Sequence, residues 1–123
     1  MGTNIDVMSA YLDLTVLVDI DAALQRIMGN KKLLFKLLRN FKGREMAGEV
    51  IKAVESGDPS QIAYEAHKMK GVSANLGLKG LESALLGIEA CAKAGQDASE
   101  LVPMLEAVVD ETMRLIEVIL ESE

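Results

Sequence analysis

Through four long stretches of this chain apolar residues return every three or four positions, the spacing of one buried face of an α-helix. From Asn30, a plausible N-cap, a long helix is expected to about Ser56, with Leu33, Leu34, Leu37, Leu38 and Phe41 inward, then Ala47, Val50, Ile51 and Val54. Gly43 and Gly48 weaken its middle and predict a bend or a close helix contact there. After Gly57, the run Asp58-Pro59-Ser60-Gln61 supplies an N-cap, a proline at the first helical position and a glutamine at the third. The helix that follows carries Ile62, Ala66, Met69, Ser73 and Leu76 on one stripe, and Gly77 provides a left-handed stop. Leu78, Leu81, Leu85, Ile88 and Ala92 mark the next helix, closed by Gly95. Leu101, Leu105, Val108, Thr112, Leu115 and Ile119 mark the last, whose regular part begins near Leu101 or Val102 because Pro103 fits only the first turn.

The N-terminal part is less strongly patterned. Asp19 or Asp21 caps a short helix through about Met28, ended by Gly29. Thr15-Val16-Leu17-Val18 is β-branched but has no partner strand, so it reads as an extended lead-in. Before it, Ile5, Val7, Met8, Tyr11, Leu12 and Leu14 suggest a short helix or a leader packed on the rest. The expected organisation is a leader over residues 1–18 and one domain over residues 19–123. That domain is expected to be all-α, an antiparallel up-and-down four-helix bundle with a short extra N-terminal helix capping one end.

Composition agrees with helices packed on helices: half the residues are hydrophobic, yet aromatics make up only 3%. A formal charge of −6 argues against nucleic acid, whose phosphates need a basic surface. The one basic cluster, Lys31, Lys32, Lys36, Arg39, Lys42 and Arg44, has helical spacing and reads as a solvated face rather than a binding patch, with a place near the docking surface as the alternative. No apolar run approaches the length of a membrane span, and the start lacks the regions of a signal peptide, so a cytoplasmic protein is expected. Cys91 has no partner for a disulfide and reads as a packing residue.

The chemistry converges on His67, the only histidine. It stands one step off the apolar stripe, with Tyr64, Lys70 and Gly71 as its i−3, i+3 and i+4 neighbours. A lone helical histidine is more often an ordinary surface or core residue, but two features point elsewhere. Gly71 sits mid-helix, where glycine costs about 1 kcal/mol relative to alanine, so something other than helix stability favours it. Lys70 disfavours an imidazolium but favours any negative group attached to the ring. Together they suit an anion on the ring and the close approach of another protein.

The segment Ala66-His67-Lys68-Met69-Lys70-Gly71-Val72-Ser73-Ala74-Asn75-Leu76-Gly77 resembles the signature of histidine-containing phosphotransfer (HPt) domains. In that signature His is followed by Lys at the third position, Gly at the fourth, a small Ser or Ala at the sixth and Gly at the tenth; here these are His67, Lys70, Gly71, Ser73 and Gly77. The likeness extends through Asp19 to Leu24, Phe41, the Glu55-Ser56-Gly57-Asp58 turn, and Leu81 to Glu89.

The resemblance implies that His67 is the phosphoacceptor, that Lys70 neutralises the phosphoryl charge, and that Glu89, 22 residues after the histidine, orients the ring. Tyr64, Lys68 and Gly71 would face the partner. An ordinary i,i+4 pair between Glu89 and Lys93 is the plainer reading of the carboxylate, and the two are compatible. The implied partners are receiver domains of response regulators or of hybrid histidine kinases, which bring the acidic pocket, the Mg²⁺ and the phosphoryl aspartate. The chain itself would be a monomeric phosphocarrier with no cofactor and no ATP site, not an enzyme, either free-standing or part of a hybrid kinase.

Two other classes compete. The dimerisation and phosphotransfer region of a sensor histidine kinase usually carries an acid directly after its histidine and often a proline four or five residues on; here stands Lys68, with no such proline. A helical adaptor with an incidental histidine would be indifferent to replacement of His67. A metal site has no support, since one histidine with scattered carboxylates is not a ligand set.

Overall fold

The computed structural model describes residues 17–123, which form six α-helices and one short 3₁₀ turn, with no strand among them. They are α1 (Ile20–Arg26), α2 (Lys31–Arg39), α3 (Gly43–Ser56), α4 (Pro59–Asn75), α5 (Lys79–Lys93) and α6 (Val102–Glu121), with the 3₁₀ turn Ser99–Leu101 leading into α6. The short helix or leader expected before Leu14, with Thr15 and Val16, lies outside the described residues. Leu17, expected in an extended lead-in, is helical, and both it and Val18 are buried.

The caps explain most boundaries. Asp19 accepts a hydrogen bond from the Ala22 N–H at 2.9 Å, Asn30 from the Leu33 N–H at 3.0 Å, and Asp58 from the Ser60 N–H at 3.0 Å. Each satisfies a donor that the first helical turn leaves without an internal partner. Pro59 occupies the start of α4, and Gly57, Gly77 and Gly95 all adopt positive φ where helices end. At Gly77 the constraint is tertiary as well: the Asp19 N–H donates to its carbonyl at 2.7 Å, and a Cβ there would fall 2.3 Å from the Asp19 carbonyl oxygen. No other residue fits that turn, which ties the entry of α1 to the exit of α4.

The single long helix expected from Asn30 to Ser56 is instead two, α2 and α3, separated by Asn40-Phe41-Lys42. Phe41 leaves the helical path to bury its ring, and α3 starts on Gly43 because little room remains there. A Cβ on Gly43 would lie 2.7 Å from the Phe41 ring and 2.8 Å from Met113 Sδ of α6. Gly48, by contrast, faces open space. Leu33 and Leu37 were expected inward but are exposed at their edges, because the main contacts of α2 among the described residues are with α6 and α1, and these bury the narrow line Leu34, Leu38.

The four longest helices pack in a cycle: α4 on α3 and on α5, α6 on α5 and on α3. The contact between α4 and α5 is the most extensive. Met69, Leu78, Leu81, Leu85, Ile88 and Leu105 are fully buried between these helices, so the expected stripes of α4, α5 and α6 do face the core. The basic cluster is exposed as expected, with Arg39 paired to Glu123 and Arg44 to Asp110 of α6.

Candidate functional site

The α4 stripe Ile62, Ala66, Met69 and Ser73 is buried, which leaves His67 on the shoulder of the helix, beside α5. Its side chain is 69% exposed. Glu89 sits one step beyond Ile88 on the facing shoulder of α5, and its side chain is only 4% exposed. That placement brings Glu89 Oε2 to 3.0 Å from His67 Nδ1 across the interface. Lys70, one turn along α4, donates from Nζ to the other oxygen, Oε1, at 2.6 Å. Lys93, one turn along α5, lies 3.1 Å from Oε2. Cross-helix contact and ordinary i,i+4 pair therefore coexist on one carboxylate.

Electrostatics set the state of this cluster. The Lys70 ammonium, aided by Lys93 and the imidazole, outweighs the cost of burial and pulls the Glu89 carboxyl down to about 2, from an ordinary 4.5. At neutral pH Glu89 is thus ionised and can only accept hydrogen bonds. The proton in the 3.0 Å contact must then belong to Nδ1, so a neutral ring carries its lone pair on Nε2. A buried anion holds one edge of the imidazole, and the opposite, basic nitrogen belongs to a ring open to solvent.

The remaining residues singled out from the sequence lie nearby but outside the carboxylate cluster. Tyr64 is 61% exposed, and the Lys68 ammonium sits 5.5 Å from the centre of its ring. Lys68 also pairs with Glu65 at 3.1 Å. Gly71 is exposed, and a Cβ there would meet nothing within 4 Å. The fold itself therefore gives no reason for a glycine at that position. Ser60, Ala63, Tyr64, His67, Lys68, Glu89 and Lys93 line one open depression over the ring.

Two features were not anticipated. Glu65 is buried; as the i+3 neighbour of Ile62 and the i−4 neighbour of Met69 it lies on the edge of the buried stripe, a signal that its charge masked. Lys93 belongs to the His67 site; its i+4 relation to Glu89 was visible, but that it faces the same depression follows only from the register of α4 against α5. Among the described residues no group of three or more histidine, cysteine, aspartate or glutamate side chains could hold a metal ion. None of their helices is long and apolar enough to cross a membrane.

A family model described as Hpt domain matches residues 15–118, nearly the whole chain. No curated protein and no solved structure matches. The match carries with it histidine phosphotransfer in two-component phosphorelays, the work of a phosphocarrier rather than a catalyst, and interaction with receiver domains.

Proposed function

The chain belongs to the Hpt domain family, and from that premise we propose that His67 is the phosphoacceptor of a phosphorelay intermediate. It takes a phosphoryl group from the aspartate of a receiver domain, or from a hybrid histidine kinase, and passes it to another receiver. The observation that carries this reading is the pairing of an open ring with a buried, ionised Glu89 at Nδ1, which leaves Nε2 basic.

In the forward step the Nε2 lone pair forms the P–N bond as the P–O bond of the aspartyl phosphate breaks, and the electron pair of that bond leaves with the aspartate carboxylate. Nδ1 keeps its proton throughout, so the phosphorylated ring is cationic, and Glu89 is its counterion. The return step retraces this path. Lys70 adds fixed positive charge beside the ring, where the phosphoryl oxygens bring negative charge. The metal that phosphoryl transfer requires comes with the receiver as Mg²⁺. Tyr64, Lys68 and Gly71 form the contact ring, with the bare Gly71 backbone admitting the partner closely. The packing cycle of α3 to α6 fits an antiparallel up-and-down four-helix bundle, working as a monomer in the cytoplasm.

The test is incubation with a receiver carrying a labelled phosphoryl group. Label should pass to this chain, be lost in acid and survive base, and be absent from His67→Gln. Acid-stable label, or label on the variant, rules the assignment out.

A further inference from the structure

Resting on that reading, we infer that Lys93 is the phosphoryl-binding cation that moves: beside the fixed charge of Lys70, it exchanges Glu89 for the phosphoryl oxygens when His67 is loaded. The two lysines on Glu89 differ in freedom. Lys70 is largely buried, its side chain 23% exposed, and holds Oε1 at 2.6 Å. Lys93 is 66% exposed, holds Oε2 at 3.1 Å, and shares that oxygen with His67 Nδ1. An acceptor already engaged by the ring is the weaker hold on an exposed, flexible ammonium.

Position agrees with freedom. Lys93 lines the depression over the ring together with Ser60, Tyr64 and His67, and Lys70 does not. A phosphoryl group on Nε2 would extend into this space and bring nearly two negative charges. Loading also makes the ring cationic, and Glu89 then has a full positive charge on Oε2 in place of a neutral N–H donor. Lys93 is repelled by that charge and attracted by the phosphoryl oxygens, so both changes move it the same way. Lys70 stays as the fixed counterion of Glu89.

In hydrolysis, water forms a bond to phosphorus as the P–Nε2 bond breaks; Nε2 recovers its lone pair, and inorganic phosphate leaves with a proton released. In a loose transition state negative charge drains from the phosphoryl oxygens toward the departing nitrogen. A cation on those oxygens therefore stabilises the loaded state more than the transition state and lengthens its life.

The experiment loads the whole chain on His67 with phosphoramidate, whose P–N bond breaks to release ammonia, and follows loss of phosphohistidine by ³¹P NMR at neutral pH. Lys93→Gln should shorten the half-life about two- to fivefold, as expected for an exposed ion pair, and Lys93→Arg should restore it. High salt should close the gap between wild type and Lys93→Gln. A double-mutant cycle separates direct contact from action through the carboxylate: the effect of Lys93→Gln should persist in a Glu89→Gln background. If it vanishes there, or if the Lys93→Gln half-life equals that of wild type, the inference fails while the phosphocarrier reading stands. No phosphohistidine on the wild-type chain would remove both.

Discussion

α4 has a polar flank on each side, and only one of them is built across a helix interface. Toward α5, an imidazole and an ammonium of α4 meet a buried carboxylate of α5, which a lysine of α5 also holds. Toward α3, the buried Glu65 pairs with Lys68 three residues along the same helix. Lys42, Glu45 and Glu49 of the neighbouring segment line a small cleft beside that pair. A pair within one helix can be rearranged by its own side-chain torsions. A carboxylate reaching over from a second helix, with both oxygens engaged, aims the ring and selects its tautomer. The difference between the flanks lies in which backbone supplies the carboxylate, since both hold a buried glutamate and lysines.

The strongest attempt to erase that difference is Glu89→Ala. It should lower the rate of label transfer from a receiver on the order of tenfold or more, the scale seen when a group orienting a histidine is lost, while the circular dichroism of the helices is kept. An unchanged rate would reduce Glu89 to a structural charge.

Acid should distinguish the flanks next. The folded Glu89 carboxyl binds a proton less readily than the unfolded one, at about 2 against 4.5. The stability it contributes is therefore complete above 4.5 and drains away as pH falls toward 2. In denaturation measured from neutral pH downward, the gap between wild type and Glu89→Gln should close below 4.5. A gap independent of pH would show that the ammonium groups do not hold the carboxylate as described.

Gly71→Ala sharpens the partner side of the comparison. With no atom within 4 Å of the new Cβ, the helix should gain up to about 1 kcal/mol in stability, read from thermal unfolding. Receiver-dependent transfer should fall several-fold, and full transfer would place Gly71 outside the contact. The smallest effect is expected from Glu65→Gln, which removes only an intrahelical pair. It should leave label uptake within about twofold; a loss matching that of Glu89→Ala would make the two flanks equivalent.

The broken helix shows where sequence pattern stopped short. Continuing the three-and-four spacing from Leu34, Leu38 and Phe41 leads to Arg44 and Glu45, whereas the buried line resumes at Ala47. That slip of phase was legible and marks the break between α2 and α3. Leu33 and Leu37 were not separable from Leu34 and Leu38 by hydrophobicity, because which side of a helix is covered depends on how many neighbours it has. The caps at Asn30 and Asp58 were readable, and Asp19 was one of two candidates with Asp21, since each acts on its own first turn.

By itself the sequence determined everything that depends on near neighbours along the chain: the helical periods, the caps and stops, and the clustering of Tyr64, Lys68, Lys70 and Gly71 about His67. Tertiary structure alone decided that Lys70 joins the imidazole and Lys93 on the Glu89 carboxylate, and that α3 starts against Met113. Helix periodicity says which face of each helix turns inward. The sliding and rotation of one helix against the next, which sets which side chains meet across the seam, comes from packing the whole bundle at once.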